Sequence, residues 1–179
     1  MKRLSSFALA ASAAVFLAAP LFATPDRVKL PAQYSSGFVL YNKVDRPDRK
    51  RVRFMYVNPE AHARARPGEI LPEGTILIME DHDVAIGADG NPVLDKDGRL
   101  MPTDALTGIF VMEKRTGFGA ANELPPDKDN GDWDYAAYKA DGSPNSEAKL
   151  ESCFACHMSR SNRDFTFTYF KNVEDGLPK

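Results

Sequence analysis

The chain has 179 residues, with 23 Lys and Arg against 25 Asp and Glu, and this length suits one globular domain rather than two. The formal net charge of −2 argues against a nucleic-acid binder, which normally presents a basic face. Two cysteines are too few for a disulfide-stapled scaffold, and 13 scattered prolines argue against a bundle of long helices.

The first 23 residues have the pattern of a secretory signal peptide. Lys2 and Arg3 give a positive start, an uncharged stretch rich in Ala, Leu and Phe runs over residues 4–19, and cleavage fits best after Ala23. A retained membrane anchor is the alternative, but the stretch is shorter than the roughly 20 residues of a membrane span and no stop-transfer pattern follows. We therefore expect a signal peptide at residues 1–23 and one mature domain at residues 24–179. That domain would be exported to a bacterial periplasm and not bound to a membrane.

The first half of the mature chain predicts two strands and a short helix. Residues 38–41 fit either a short strand or the end of a helix, and residues 51–57 have the branched and aromatic composition of a strand. The sequence Asn58-Pro-Glu then supplies an N-cap, a proline and an acid, which predicts a helix to about Arg66. Residues 75–80 form the next strand, and two Asp-Gly pairs, at 89–90 and 97–98, bracket a hairpin-like excursion.

The second half predicts three more strands. Residues 108–114 and 133–138 have strand composition, and residues 116–130 between them form a loop rich in Gly and Pro. A helix starts within residues 146–152 and runs into the cysteines, after which residues 165–169 alternate in a final strand. Because no regular helix separates each pair of strands, the predicted fold class is α+β, mainly antiparallel β-sheet with a few short helices.

The most informative feature is the motif C-x-x-C-H, formed by Cys153, Cys156 and His157. Two thiols three residues apart on a helix can add to the two vinyl groups of one haem, and the next residue then offers an imidazole to the iron. The motif therefore predicts one covalently attached haem c with His157 as the proximal iron ligand.

Three other interpretations of the cysteine pair fit less well. A thioredoxin-like pair needs most of its domain after the motif, and a structural zinc site needs two further ligands. The other two histidines lie at no motif spacing. His62 is predicted at the surface, and His82, between Asp81 and Asp83, is predicted in a solvated loop. A disulfide between such close cysteines would close a small strained loop and hold little together.

The position of the C-x-x-C-H motif, near the end of the chain, limits which residues can form the distal face of the haem. Met158 is the only methionine after the motif, and it is adjacent to the proximal histidine, so it cannot reach the opposite face of the haem. The distal face must therefore come from residues that precede Cys153.

In this order, the motifs of the chain resemble those of the cytochrome P460 family, which includes the β-sheet cytochromes c′. The resemblance extends from about Arg51 to Tyr169. The motifs that carry it are residues 53–59, 74–80, 131–133 and 153–157, together with the Asp-x-x-Phe of residues 164–167. It implies a mostly antiparallel β fold, one c-type haem with an open distal position, and a homodimer.

The resemblance also places three residues near the haem. Arg53 falls at the position of the family's distal arginine. Met79 replaces a lysine that cross-links to the haem edge in the hydroxylamine-oxidising members, and Phe110 replaces one of their distal carboxylates. The β-sheet cytochromes c′ have phenylalanine in the distal pocket, so Phe110 favours the binding of nitric oxide or a related small nitrogen oxide.

Two alternatives stay open at the level of the sequence. The protein could be an oxidoreductase that acts on hydroxylamine or nitric oxide, with a cytochrome as redox partner. It could instead be an electron-transfer cytochrome whose iron takes a sixth ligand such as Met112.

Overall fold

A computed structural model describes residues 27–176, so the predicted signal peptide lies outside the described residues. Its centre is a five-stranded sheet that is antiparallel throughout, with the strands in chain order. The strands are β1 (Val39–Arg46), β2 (Arg51–Val57), β3 (Ile76–Val84), β4 (Pro102–Lys114) and β5 (Trp133–Tyr138). The predicted fold class, α+β with a mainly antiparallel sheet, is confirmed.

In residues 27–176, five short α-helices lie around the sheet. They are α1 (Tyr34–Gly37), α2 (Pro59–Arg64), α3 (Phe118–Asn122), α4 (Glu151–Met158) and α5 (Tyr169–Glu174). Within the described residues, no helix is long and apolar enough to span a membrane. Isolated bridges join Ile86 to Pro92 and Leu94 to Leu100, so the predicted hairpin-like excursion is present between β3 and β4.

Two hydrophobic clusters cover the two faces of the sheet. On one face, which we call the inner face, Val57, Leu77, Met112 and Tyr135 pack against Phe154 of α4 and Tyr169 of α5. On the opposite, outer face, residues such as Ile78, Ile109 and Ala136 pack against the N-terminal segment through Val28 and Tyr34. All six residues of β5 are buried because both of its faces are covered.

The predicted final strand at residues 165–169 is wrong. Asp164 and Phe165 both have positive φ angles, and Tyr169 begins α5. The alternating aromatic residues belong to a turn followed by the start of a helix. The loop predicted at 116–130 also contains α3.

Candidate functional site

The three motif residues lie on α4, which closes the inner face of the sheet. Phe154 is 2% exposed and its ring meets that of Tyr135 edge-on, with the ring centroids 4.7 Å apart, so it anchors the helix to β5. Cys153 is half-buried and packs beside this contact, whereas Cys156 is exposed. Burial raises the pKa of the Cys153 thiol. The cysteines are not joined by a disulfide.

His157 is held by one hydrogen bond and two rings. Its Nδ1 lies 2.6 Å from the carbonyl oxygen of Phe165, which makes Nδ1 the protonated nitrogen and Nε2 the one that can bind a metal. The rings of Tyr135 and Phe167 lie on two sides of the imidazole, both with centroids 5.0 Å away. Burial lowers the pKa of His157, which favours the neutral imidazole that metal ligation requires.

Next to this helix, the inner face presents a row of half-buried apolar side chains. Ala137 follows Tyr135 on the same face of β5, and it pairs in turn with Phe110. Phe110 pairs with Met79, and Met79 pairs with Met55. We call Met55, Met79 and Phe110 the apolar row. The sheet register thus brings together Met79 and Phe110, which lie far apart in the sequence.

The next row of side chains on the inner face, beyond the apolar row, is charged. Arg53 and Asp81 pair across β2 and β3, and the Arg53 Nε donates to Asp81 Oδ1 over 2.8 Å. Their side chains are 19% and 14% exposed. Asp81 pairs on its other side with Gly108, and the ring of Phe110 leans over this glycine, since a Cβ there would lie 3.5 Å from Phe110 Cε2. The inner face therefore has a carboxylate beside Arg53 that the sequence reasoning missed. Only the register of β3 against β2 could have revealed it.

Other residues considered from the sequence lie elsewhere. Met112 is 7% exposed in the inner hydrophobic cluster beside Tyr135, which gives no support to its role as a sixth iron ligand. His62 was predicted at the surface but is 6% exposed, because Tyr169 of α5 covers it and its Nδ1 lies 2.9 Å from the Tyr169 hydroxyl. His82 was predicted in a solvated loop but lies in β3 and stacks on Phe54. Among residues 27–176, no group of three or more His, Cys, Asp or Glu side chains could hold a metal ion, so a zinc site finds no ligand set there.

The residues present fit a haem. Thiols one helical turn apart and a neutral imidazole follow one another on α4, which packs on the face of the sheet that carries the apolar row. Arg160, three residues after His157, has a buried Nε with no hydrogen-bond partner among the described residues, and its guanidinium lies 4.8 Å from the centre of the Phe167 ring. A partly buried guanidinium whose Nε lacks a partner suits a group with acidic substituents, such as a haem with its propionates.

Comparison with known proteins agrees with this geometry. The profile of the family described as Cytochrome P460 matches residues 31–168, a range that includes the whole sheet and α4. No curated protein sequence gives a significant match to the chain. Because the profile covers most of the chain, the protein belongs to the cytochrome P460 family and is a haem-binding c-type cytochrome.

Proposed function

We propose that the protein is a periplasmic cytochrome with one covalently attached haem, and that it binds nitric oxide or a related small nitrogen oxide. Cys153 and Cys156 would form the two thioethers, and His157 would be the proximal ligand. The arrangement on α4 carries the proposal, since both thiols and an imidazole already held at Nδ1 lie within five consecutive residues of one helix. When bound, the haem supplies an iron with a coordination position for a small ligand. As in the family, the protein would act as a homodimer.

The side chains of the inner face select the ligand. Met79 and Phe110 present an apolar surface that excludes water and disfavours charged or bulky molecules. Arg53 adds a single cationic donor that can hydrogen-bond to the oxygen of a nitrogen oxide. Asp81 orients this guanidinium by accepting from its Nε. Small neutral diatomic molecules suit this combination best.

The proposal is tested with the mature protein produced in a strain competent for cytochrome maturation. Its mass should exceed that of the polypeptide by one haem. The ferrous spectrum should change on addition of nitric oxide. His157→Ala should keep the haem, because the thioethers remain, but should change the spin state and the ligand affinity. A colourless protein, or an unchanged spectrum in His157→Ala, would refute the assignment.

Hydroxylamine oxidation is the second candidate, and the position of Asp81 favours it. This reaction releases protons together with electrons, so a base near the substrate accelerates it. The sequence suggested that Phe110 leaves the pocket without a carboxylate. Asp81, on the same face and one row away, could accept the protons instead, while Arg53 keeps it in place.

A matched pair of variants tests this second candidate. Arg51 and Asp83 form another ion pair between the same two strands, two residues further along, with side chains 32% and 43% exposed. With hydroxylamine and an artificial electron acceptor, Asp81→Asn should lower turnover by about 100-fold or more, the usual contribution of a general base. Asp83→Asn should have little effect. The absence of turnover in the unmodified protein, or equal losses in both variants, would exclude the enzymatic role of Asp81.

A further inference from the structure

The turn that follows the haem-attachment motif has an unusual backbone. Asp164 and Phe165 are consecutive non-glycine residues with φ angles of +48° and +58°. Aspartate tolerates this left-handed region better than most residues, but phenylalanine adopts it rarely. Such a conformation persists only when contacts around it hold it in place.

Backbone hydrogen bonds within the segment hold this turn locally, and three contacts from the rest of the fold converge on the carboxylate of Asp164. Asp164 Oδ2 accepts from the backbone nitrogen of Leu71 over 2.9 Å and from Lys114 Nζ over 2.7 Å. Asp164 Oδ1 accepts from Trp133 Nε1 over 3.3 Å. The side chains of Asp164 and Lys114 are 7% and 13% exposed, so water screens this ion pair little. The donors belong to three separate segments at one end of the sheet, and the carboxylate therefore fixes the turn to the sheet.

This turn determines the direction in which the Phe165 carbonyl group points. The Phe165 carbonyl accepts from His157 Nδ1 over 2.6 Å, while the Phe165 nitrogen donates back to the Arg160 carbonyl over 2.9 Å. Two residues later, the Phe167 ring lies edge-on to the imidazole at 89°. Both ends of the Asp-x-x-Phe motif thus act on His157, Phe167 through its ring and Asp164 through the backbone.

We propose that Asp164 is a positioning residue for His157, which it acts on through the Phe165 carbonyl. A hydrogen bond at Nδ1 fixes the rotation of the imidazole and makes Nε2 a stronger donor to a metal. Stronger donation to a haem iron stabilises its ferric state and lowers the reduction potential. The inference rests on the proposed ligation of iron by His157.

Resonance Raman spectroscopy and redox titration of the haem-loaded protein test it. In Asp164→Ala, the histidine–iron stretching band of the ferrous protein should move to lower frequency and broaden, because the Nδ1 hydrogen bond is weakened. The reduction potential should rise. Asp164→Asn keeps an acceptor oxygen and tolerates positive φ, so it should shift both quantities in the same direction by less.

The control is Asp45→Ala. Like Asp164, Asp45 accepts hydrogen bonds from a cationic side chain and from a backbone nitrogen. Its donors are Arg99 and Leu100, which belong to the hairpin-like excursion and not to the turn after α4. This variant should leave the band and the potential unchanged. Unchanged values in Asp164→Ala, or in Asp164→Asn if the alanine variant does not fold, would overturn the inference, as would equal shifts in Asp45→Ala. A wild-type ferrous protein that is five-coordinate and high-spin but shows no histidine–iron band would instead refute ligation by His157.

Discussion

Phe110 is the single side chain whose removal should most directly change access to the proposed ligand site. Its ring is half-buried in the apolar row and leans over Gly108 toward the Arg53–Asp81 pair. Phe110→Ala should therefore open a path for small molecules and raise the association rate of nitric oxide. An increase of about tenfold corresponds to a barrier lower by ~1.4 kcal/mol. Stopped-flow mixing of the ferrous protein with nitric oxide measures this rate.

Phe54 supplies the control for this prediction. It is also a half-buried aromatic residue near the centre of the sheet, but it stacks on His82 on the outer face. Phe54→Ala should leave the association rate unchanged even if it lowers stability. A rate in Phe110→Ala equal to that of the unmodified protein would place Phe110 away from the ligand path.

At the scale of single residues, the chemistry that is local in sequence could be predicted, and the chemistry made by the fold could not. Cys153, Cys156 and His157 lie within five residues, so their spacing alone carries the prediction of a haem. Asp81 meets Arg53 only because β2 and β3 pair in one particular register. Asp164 likewise meets its three donors only after the strands have assembled.

At the scale of elements, β2 to β5 could be predicted because their branched and aromatic residues are buried against hydrophobic clusters on the two faces of the sheet. The strand predicted at residues 165–169 is wrong because alternating aromatic residues do not distinguish a strand from a turn that leads into a helix. The predicted surface position of His62 is wrong for a related reason. This histidine lies on a short helix that also carries Glu60 and Arg64, and the ring that buries it comes from a residue 107 positions away.

The ion pair of Asp45 and Arg99 anchors the hairpin-like excursion to β1, and it gives this element a pH dependence. The Arg99 guanidinium, which donates to both oxygens of Asp45 over 2.7 and 2.9 Å, holds the pKa of Asp45 below its ordinary 3.8. Because the folded-state pKa is depressed, the stabilisation is present above pH 3.8 and is lost as the pH falls through the folded-state value. Arg99 is 49% exposed, so solvent limits the contribution to about 0.5–1 kcal/mol.

Asp45→Asn should therefore be less stable than the unmodified protein at neutral pH, and the difference should shrink as the pH falls below 3.8. Urea denaturation across this pH range measures both quantities. A difference that stays constant with pH would mean that the charge of Asp45 does not contribute.

At the scale of the whole molecule, the sheet separates the proposed site from the segment that closes the fold. The inner face carries α4 and the apolar row, whereas the outer face is covered by the N-terminal segment. There the hydroxyls of Tyr34 and Tyr56 donate to the buried Glu80 carboxylate over 2.6 and 2.9 Å. Burial, and then the hydrogen bond to Glu80, raise the pKa of Tyr34, so its hydroxyl remains a donor at physiological pH.

This separation predicts that stability and ligand binding can be changed independently. Tyr34→Phe removes one donor from a buried carboxylate and should lower the free energy of unfolding by about 1–3 kcal/mol, without a change in the haem spectrum or the response to nitric oxide. Tyr41→Phe is the matched control, since its hydroxyl lies 3.1 Å from the neutral Thr168 hydroxyl, and the loss there should be smaller, about 0.5–1.5 kcal/mol. Urea denaturation and optical titration of the same preparations give both readouts. A change in the haem spectrum or in the nitric oxide response of Tyr34→Phe would mean that the two faces are coupled through the sheet. If the spectrum stays fixed while the protein loses stability, the buried Glu80 cluster serves the fold alone.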